Sequence, residues 1–367
     1  MSSEESPIEI VRRNNREMGY QERQERRETL VNSRRGTLGE KANSQKRVIT
    51  TQEVKTLAER LKHKGHFTVQ DFMFLNHALI QNEENIITFF RVTGALHALV
   101  RELTGQNTSL QLSAANCCCN LALGNKKSCL QLTKAAAPYL ISHLDGLNNH
   151  LLEICVWTLG NLAGSDVKSW TVLHAQGLLP KLLHLMTSSE SDVVCATIYA
   201  LTHYVRVGLH TSDLNSGLQK HIVMNVHPVM ERDASSCWVI YLLSCCSECD
   251  DVMLINSVVS RGVCLLRQCK TAPDSEVNVS KITALVRMLG NLSANREAAE
   301  ILLIHSSIIS VLRMLLASPY MHVQRETLWL VGNLLNHTSV EIQLLAKDSN
   351  LIESIEPLLS DALSNIL

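Results

Sequence analysis

The fold is indicated most clearly by residues 153–163, Glu-Ile-Cys-Val-Trp-Thr-Leu-Gly-Asn-Leu-Ala. This stretch ends in an Asn-Leu pair, and the same ending recurs in residues 113–123, 285–293 and 326–335. The four asparagines, Asn120, Asn161, Asn291 and Asn333, are separated by 41, 130 and 42 residues. The gap of 130 residues fits three units, and two degenerate copies, 196–204 and 237–244, lie inside it. The sequence therefore predicts a repeat of about 42 residues.

Each repeat has the composition of two or three stacked helices. Aromatic residues make up only 4% of the chain and hydrophobic residues 46%, which favours helices over aromatic-rich strands. In residues 178–186 the apolar positions follow helical spacing. Small residues precede several apolar helices; these residues are Gly94, Ala137, Gly177 and Gly262. One such unit cannot bury its own apolar face, so neighbouring units must stack.

A period near 42 is typical of armadillo or HEAT repeats. We therefore predict an all-α fold, a right-handed α-solenoid of armadillo repeats behind a charged helical N-terminal arm. The expected domains are an arm over 1–50, a linker over 51–65, and a solenoid over 66–367. The solenoid is expected to hold about six to seven repeats, of which the last is incomplete, because residues 351–367 provide no third helix.

Charge is concentrated at the N-terminus. Residues 12–47 contain 11 Lys and Arg against 5 Asp and Glu, although the whole chain has a formal net charge of −1. A basic arm on a mildly acidic body can bind an acidic partner or fold back onto that body. The longest apolar candidate, 301–317, is interrupted by His305 and Arg313, so we expect no membrane span. The 12 cysteines are expected to be free thiols in a reducing compartment.

A second pattern lies four residues before each anchor. Residues at i and i+4 share one face of a helix, so each pair projects together and the pairs form a ladder on one concave surface. The pairs are Asn116/Asn120, Trp157/Asn161, Tyr199/His203, Trp238/Leu242, Arg287/Asn291 and Trp329/Asn333. An Asn amide can hold a peptide backbone, and Trp faces can hold Lys or Arg stems by cation–π attraction. The alternative is that Asn spaces the third helix and Trp fills the core.

The same residues resemble the importin-α family of nuclear import adaptors. VWTLGNLAG (156–164) resembles the third repeat of that family, CWVIYLLS (237–244) the fifth, ALVRMLGNLS (284–293) the sixth and QRETLWLVGNL (324–334) the seventh. The resemblance covers roughly residues 70–367. Residues 25–35, ERRETLVNSRR, are similar to a shortened form of the family's importin-β-binding segment. The alternative interpretation of this arm is a solvated charged helix.

The resemblance implies roles for particular residues. The implied peptide-binding residues are Asn120, Trp157, Asn161, Tyr199, Trp238, Arg287, Asn291, Glu326, Trp329 and Asn333. Carrier binding falls on Arg26, Arg27, Arg34 and Arg35, and autoinhibition on Lys46 and Arg47. The implied partners are basic linear peptides of cargo proteins and an importin-β-like carrier, in the cytoplasm and nucleus. Neither nucleic acid nor a cofactor is expected.

The chain also departs from the family pattern. Asn116 stands where the family has Trp, and Tyr199 with His203 replaces a Trp/Asn pair. These departures suggest a diverged, shortened relative, such as the transmembrane and coiled-coil domain-containing importin-α-like family. The alternative function is an armadillo scaffold whose surface no longer binds conventional nuclear-localisation signals.

Metal and catalytic motifs are weak. The run Cys117-Cys118-Cys119 cannot form one site, because successive helical residues point about 100° apart. Cys246 and Cys249 have CxxC spacing, but no second pair completes a zinc site. No HExxH, GxSxG or phosphate-loop motif is present. We therefore expect neither a metal nor an enzyme.

Overall fold

All regular secondary structure in the described part of the chain is helical. The computed structural model describes residues 48–65, 67–269 and 276–349, with 351–353, 355, 356 and 358 beyond them. These residues belong to two compact units, a first unit up to Asp213 and a second unit from Leu214 onward. The prediction of an all-α armadillo fold is confirmed.

The first unit contains ten α-helices among its described residues, besides one short 3-10 helix (His143–Asp145). They are α1 (Thr51–Leu61), α2 (Val69–Gln81), α3 (Glu83–Arg91), α4 (Ala95–Leu103), α5 (Thr108–Leu121), α6 (Lys126–Ser142), α7 (Asn149–Ala163), α8 (Val167–Ala175), α9 (Leu178–Leu185) and α10 (Ser191–Gly208). Helices α2, α5, α7 and α10 are the third helices of their repeats, and each packs against the next in that order. The side of these helices that carries ladder residues such as Asn120, Trp157 and Tyr199 is called the third-helix face.

The second unit repeats this arrangement. Its helices are α11 (Ser216–Val226), α12 (Ser236–Leu243), α13 (Asp250–Ile255), α14 (Val258–Gln268), α15 (Glu276–Leu292), α16 (Arg296–Ile304), α17 (Ile308–Leu316), α18 (Met321–Leu335) and α19 (Val340–Asp348). Here α12, α15 and α18 are the third helices, again packed in sequence. Both degenerate copies of the motif, in α10 and α12, are therefore third helices.

Helix starts are fixed by short polar side chains. Asn82, Asn107, Asn125 and Asn148 are N-caps whose side-chain oxygens accept bonds from backbone N–H groups of the first turn. Such caps satisfy donors that have no partner within the helix, and each contributes about 1 kcal/mol. Much of the asparagine in this chain therefore starts helices and does not belong to the ladder.

Two glycines turn the chain between the first and second helices. Gly94 and Gly177 have φ of 86° and 76° and precede α4 and α9, a conformation that costs glycine little. The other two small residues behave differently from the sequence expectation. Gly262 lies inside α14, where Ser257 with φ 55° takes the turn position, and Ala137 lies inside α6, which joins two helices into one.

Glycines also let third helices approach closely. A Cβ on Gly160 would lie 2.8 Å from the Cα of Ala200 on α10. A Cβ on Gly290 would lie 2.2 Å from Cζ3 of Trp329 on α18. At the equivalent Gly332, no atom of a neighbouring element in the described part of the chain lies within 4 Å of that position. The glycine of the Gly-Asn-Leu motif is therefore a packing residue wherever another third helix follows it in the described structure.

The segment 51–65, expected to be a linker, contains a helix instead. Helix α1 begins with a capping box between Thr50 and Glu53 and buries Val54, Ala58 and Leu61. These three residues lie at i, i+4 and i+7 and so form one apolar stripe. The stripe packs α1 against α2, α3 and α4, and α1 is therefore part of the folded first unit.

Most of the 12 cysteines fill the core. Nine are buried and Cys246 is partly buried, whereas Cys195 on α10 and Cys264 on α14 are exposed. Burial, with a smaller contribution from Cys119, raises the pKa of Cys155 to about 12. Such a thiol stays protonated and packs as a small apolar side chain.

Candidate functional site

Trp157 lies at one end of an aromatic surface on the first unit. Its indole is partly exposed, and Nε1 donates a hydrogen bond of 3.1 Å to Oε1 of Glu153, one turn earlier on α7. The ring packs against Tyr199 of α10, with centroids 4.3 Å apart and planes inclined by 49°. An aromatic face with a carboxylate at its edge is suited to a cationic side chain.

Asn161 lies behind this surface and is bonded within the protein. Its exposed fraction is 2%. Its Oδ1 accepts a hydrogen bond of 2.6 Å from the Tyr199 hydroxyl, and its Nδ2 lies 4.0 Å from Sγ of Cys119 on α5. Asn161 thus connects α5, α7 and α10, and in this conformation a peptide cannot reach its amide.

The aromatic surface continues to His203. The Tyr199 and His203 rings lie edge to face with centroids 4.4 Å apart. Nη2 of Arg206 lies 2.9 Å from Nδ1 of His203, and since a guanidinium only donates, this ring nitrogen is the acceptor. Three contiguous rings therefore run between the carboxylate of Glu153 and the guanidinium of Arg206. The name first-unit strip is used below for Trp157, Tyr199 and His203.

The ladder starts one repeat earlier than the sequence analysis places it. Nδ2 of Asn120 donates a hydrogen bond of 2.6 Å to Oδ1 of Asn76 on α2. Asn76 precedes Asn120 by 44 residues, which is close to the repeat length. This spacing was the signal in the sequence that could have identified Asn76. Asn116 bonds within its own helix, to the carbonyl of Leu112 at 3.0 Å.

Two tryptophans are partly exposed on the second unit. Nε1 of Trp238 donates a hydrogen bond of 2.9 Å to Oγ of Ser280 on α15. Its ring stands edge to face with Tyr241, at 5.7 Å between centroids. The Trp329 ring lies against Gly290. Both tryptophans keep part of their surface available, as the peptide-binding prediction requires.

Arg287 and Glu326 do not lie on an accessible surface. Their exposed fractions are 0% and 2%, and Nη2 of Arg287 lies 2.9 Å from Oε1 of Glu326. The guanidinium also lies 5.9 Å from the ring centre of Tyr241. They form a buried ion pair between α15 and α18, and burial prevents either side chain from contacting a peptide in this conformation. Their assignment as peptide contacts is corrected accordingly.

The remaining ladder asparagines reach back to the preceding third helix. Nδ2 of Asn291 lies 3.0 Å from Oγ of Ser244 at the end of α12. Nδ2 of Asn333 donates to the carbonyl of Gly290 at 2.9 Å. Asn291 is buried, whereas Asn333 is partly exposed. In these contacts the amide N–H holds two neighbouring repeats together, which is the structural alternative that the sequence left open.

Several predicted residues lie outside the described part of the chain. These are the carrier-binding arginines Arg26, Arg27, Arg34 and Arg35, and the autoinhibitory Lys46 and Arg47. Within the described residues, no group of three or more His, Cys, Asp or Glu side chains is arranged to hold a metal ion. No single described helix is long and apolar enough to span a membrane. Helices α16 and α17, bent by 90° relative to each other, pass that test as a pair, on length and composition alone.

Comparison with known proteins agrees with this architecture. No family model matches the chain. Importin subunit alpha-9 of Arabidopsis thaliana is 26% identical over 254 residues, which is 66% of this chain and 48% of that protein. The chain thus spans about half the length of this curated relative.

Solved structures support the fold alone, because their sequence identity is low. The crystal structure of an engineered protein aligns with TM-score 0.64 at 18% identity, over 93% of this chain and 95% of its own. A chain from a study of the interaction between cadherin and beta-catenin aligns with TM-score 0.59 at 17% identity, over 76% of this chain and 52% of its own. The repeated third helices and these matches show an armadillo-type fold, and the chain is similar in sequence to an importin-α subunit.

Proposed function

We propose that this protein is a binding adaptor of importin-α type. Its third-helix faces bind basic linear peptides of cargo proteins, and its basic N-terminal arm binds an importin-β-like carrier. The adaptor thereby links cargo to carrier in nuclear protein import and moves between the cytoplasm and the nucleus. The similarity to an importin-α subunit and the 11 basic residues of the arm support this proposal, which assigns the chain binding and not catalysis.

The surface around Trp157 is the observation that carries the peptide-binding part. A partly exposed indole lies beside the Glu153 carboxylate, on the same face as Tyr199. A Lys or Arg stem lying on this surface gains roughly 0.5–2 kcal/mol from cation–π attraction. The carboxylate adds attraction for the charged end of that side chain. On the second unit, Trp238 and Trp329 provide further aromatic surface for the same class of peptide.

An armadillo scaffold with a repurposed surface is the second candidate function. Asn161 and Asn291 are buried and direct Nδ2 toward neighbouring helices, and the Arg287–Glu326 pair is buried. These residues give an extended peptide no amide ladder to bind. A folded or non-basic partner that recognises the third-helix face by shape fits these observations.

Peptide binding to single variants tests the two candidates. We expect Trp157→Ala in the full chain to weaken binding of a fluorescein-labelled alternating Lys-Arg peptide about fivefold or more, from the loss of one cation–π site. Tyr139→Ala is the matched control, because Tyr139 is an exposed aromatic residue on α6, which is not a third helix. Equal weakening by both variants, or no peptide binding by the wild-type chain, argues for the repurposed scaffold.

A second experiment tests the arm. Replacing Arg26, Arg27, Arg34 and Arg35 by Ala in the full chain is expected to abolish binding to purified importin-β and to leave thermal unfolding unchanged. Wild-type binding should also weaken as salt rises, because exposed ion pairs are screened over about 8 Å at 0.15 M. If the four-fold variant still binds the carrier with wild-type affinity, the arm is not the docking segment.

A further inference from the structure

Tyr199 engages both members of the Trp157/Asn161 pair. Its ring lies 4.3 Å from the Trp157 ring, centre to centre, and its hydroxyl donates to Oδ1 of Asn161 at 2.6 Å. A methylene stem needs contact distances of about 3.5–4 Å to each ring face, so rings that hold it between them stand nearly twice as far apart as these two. The Trp157 and Tyr199 rings are therefore in direct contact, and no side-chain stem fits between them.

The hydroxyl of Tyr199 also occupies the place of a peptide N–H. An Asn carbonyl oxygen can accept from a peptide backbone, but here Oδ1 already accepts from Tyr199 and the residue is 2% exposed. A peptide can reach this oxygen only after the Tyr199 side chain moves away. Tyr199 thus satisfies Asn161 in the manner of a bound ligand.

The backbone favours this closed arrangement. Gly160 has no side chain, so α10 lies close enough that Cδ1 of Tyr199 would be 3.2 Å from a Cβ at position 160. On its other side the Tyr199 ring contacts His203 edge to face. The tyrosine is therefore held over Trp157 and Asn161 by the close approach of α7 and by His203 of its own helix.

We propose that Tyr199 is a self-ligand that determines the affinity and specificity of the Trp157/Asn161 site. While it is in place, a basic peptide contacts only the outer faces of the first-unit strip. Full engagement of Trp157 and Asn161 requires the Tyr199 side chain to rotate outward. This inference rests on the proposed function, because it names the residue that competes with the peptide at that site.

The second unit provides an internal reference. Asn333 is partly exposed, and no described atom of a neighbouring element lies within 4 Å of a Cβ at Gly332. Among the described residues, none is therefore placed over the Trp329/Asn333 pair as Tyr199 is placed over the first pair. A change at Tyr199 should leave the Trp329 site unaltered.

Anisotropy titrations of the full chain with a labelled alternating Lys-Arg peptide test the proposal. We expect Tyr199→Ala to bind about fivefold more tightly than wild type, the factor corresponding to one intramolecular hydrogen bond that no longer has to be broken. Tyr199→Phe loses the same hydrogen bond but keeps the ring against Trp157, so its affinity should rise by up to about fivefold and that of Tyr199→Ala by at least as much. Adding Trp157→Ala to Tyr199→Ala should remove the gain in affinity. Adding Trp329→Ala to wild type and to Tyr199→Ala should lower both affinities and leave their ratio unchanged.

The possible outcomes separate this inference from the proposed function. If wild type binds the peptide and both Tyr199 variants bind it equally well or more weakly, the inference is overturned and the peptide-binding function stands. If Tyr199→Ala binds and wild type does not, the inference is supported in its strongest form. If neither binds, the proposed function fails and the inference fails with it. Should Tyr199→Ala unfold, Tyr199→Phe alone decides, since its packing is unchanged.

Discussion

Replacing Gly160 by Ala tests how closely the third helices pack. The new Cβ would lie 2.8 Å from the Cα of Ala200, whereas ordinary contacts begin at 3.4 Å, so α7 and α10 must separate by about 0.6 Å or more. Overpacking of this kind costs about 1–3 kcal/mol. Against it stands a gain of about 1 kcal/mol, because Ala favours a helix more than Gly does. The net effect on the free energy of unfolding is a loss of up to about 2 kcal/mol.

Gly332→Ala is the matched control, since it occupies the same motif position and its Cβ would meet no atom of another element within 4 Å among the residues that the structure describes. The helix-propensity gain is common to both variants, so Gly160→Ala should be less stable than Gly332→Ala by about 1–3 kcal/mol. Urea unfolding followed by circular dichroism measures the difference, and amide exchange in α7 and α10 locates it. Equal stability of the two variants would refute the argument that the glycine of the motif is there for close packing.

Three further predictions concern buried and capping groups. Glu326→Gln should lower the free energy of unfolding by about 3–5 kcal/mol, because Arg287 would remain charged in the core; Arg287→Met combined with Glu326→Leu should recover most of the loss in the same urea titration. Asn291→Ala should lower the free energy of unfolding by about 1–3 kcal/mol, because it removes the hydrogen bond from α15 to Ser244 at the end of α12. A loss as small as that expected for an exposed Asn would mean that this bond is not made. At Asp71, burial raises the carboxyl pKa, but bonds from Thr68 and the charge of Arg60 outweigh it and leave the pKa below its usual value. Asp71→Asn should therefore be less stable than wild type at neutral pH, and urea titrations should show the difference vanishing as the pH falls below about 4 and through the lowered pKa.

The repeat and its third helices were predictable because they depend on local patterns. The Asn-Leu ending recurs at a nearly fixed distance, and the apolar positions around it follow helical spacing. Even weak copies such as 196–204 could be placed, since a solenoid leaves little freedom in where the next helix starts. Helix α1 also has a helical pattern, because Val54, Ala58 and Leu61 share one face. The charged residues between them obscured this pattern, and the segment was expected to be a linker.

The accessibility of the ladder could not be predicted in the same way. The i, i+4 spacing places Arg287 and Asn291 on one side of α15, but it does not say whether α18 covers that side. The partner of Arg287 is Glu326, 39 residues away, and only the packing of two repeats brings them together. Similarly, the pairing of Tyr199 with Asn161 depends on how closely Gly160 lets α10 approach.

Because most cysteines are buried in the core, the exposed Cys195 can serve as a labelling site that reports on Tyr199. Cys195 is exposed on α10 and precedes Tyr199 by four residues, so both project from the same side of that helix. A maleimide dye will react chiefly at Cys195 and Cys264, because the deeply buried thiols react slowly. Cys264 lies on α14 and Cys246 is only partly buried, so substituting both by Ser leaves Cys195 as the main labelling position. A fluorophore there would register outward rotation of the tyrosine in real time, in an otherwise native chain.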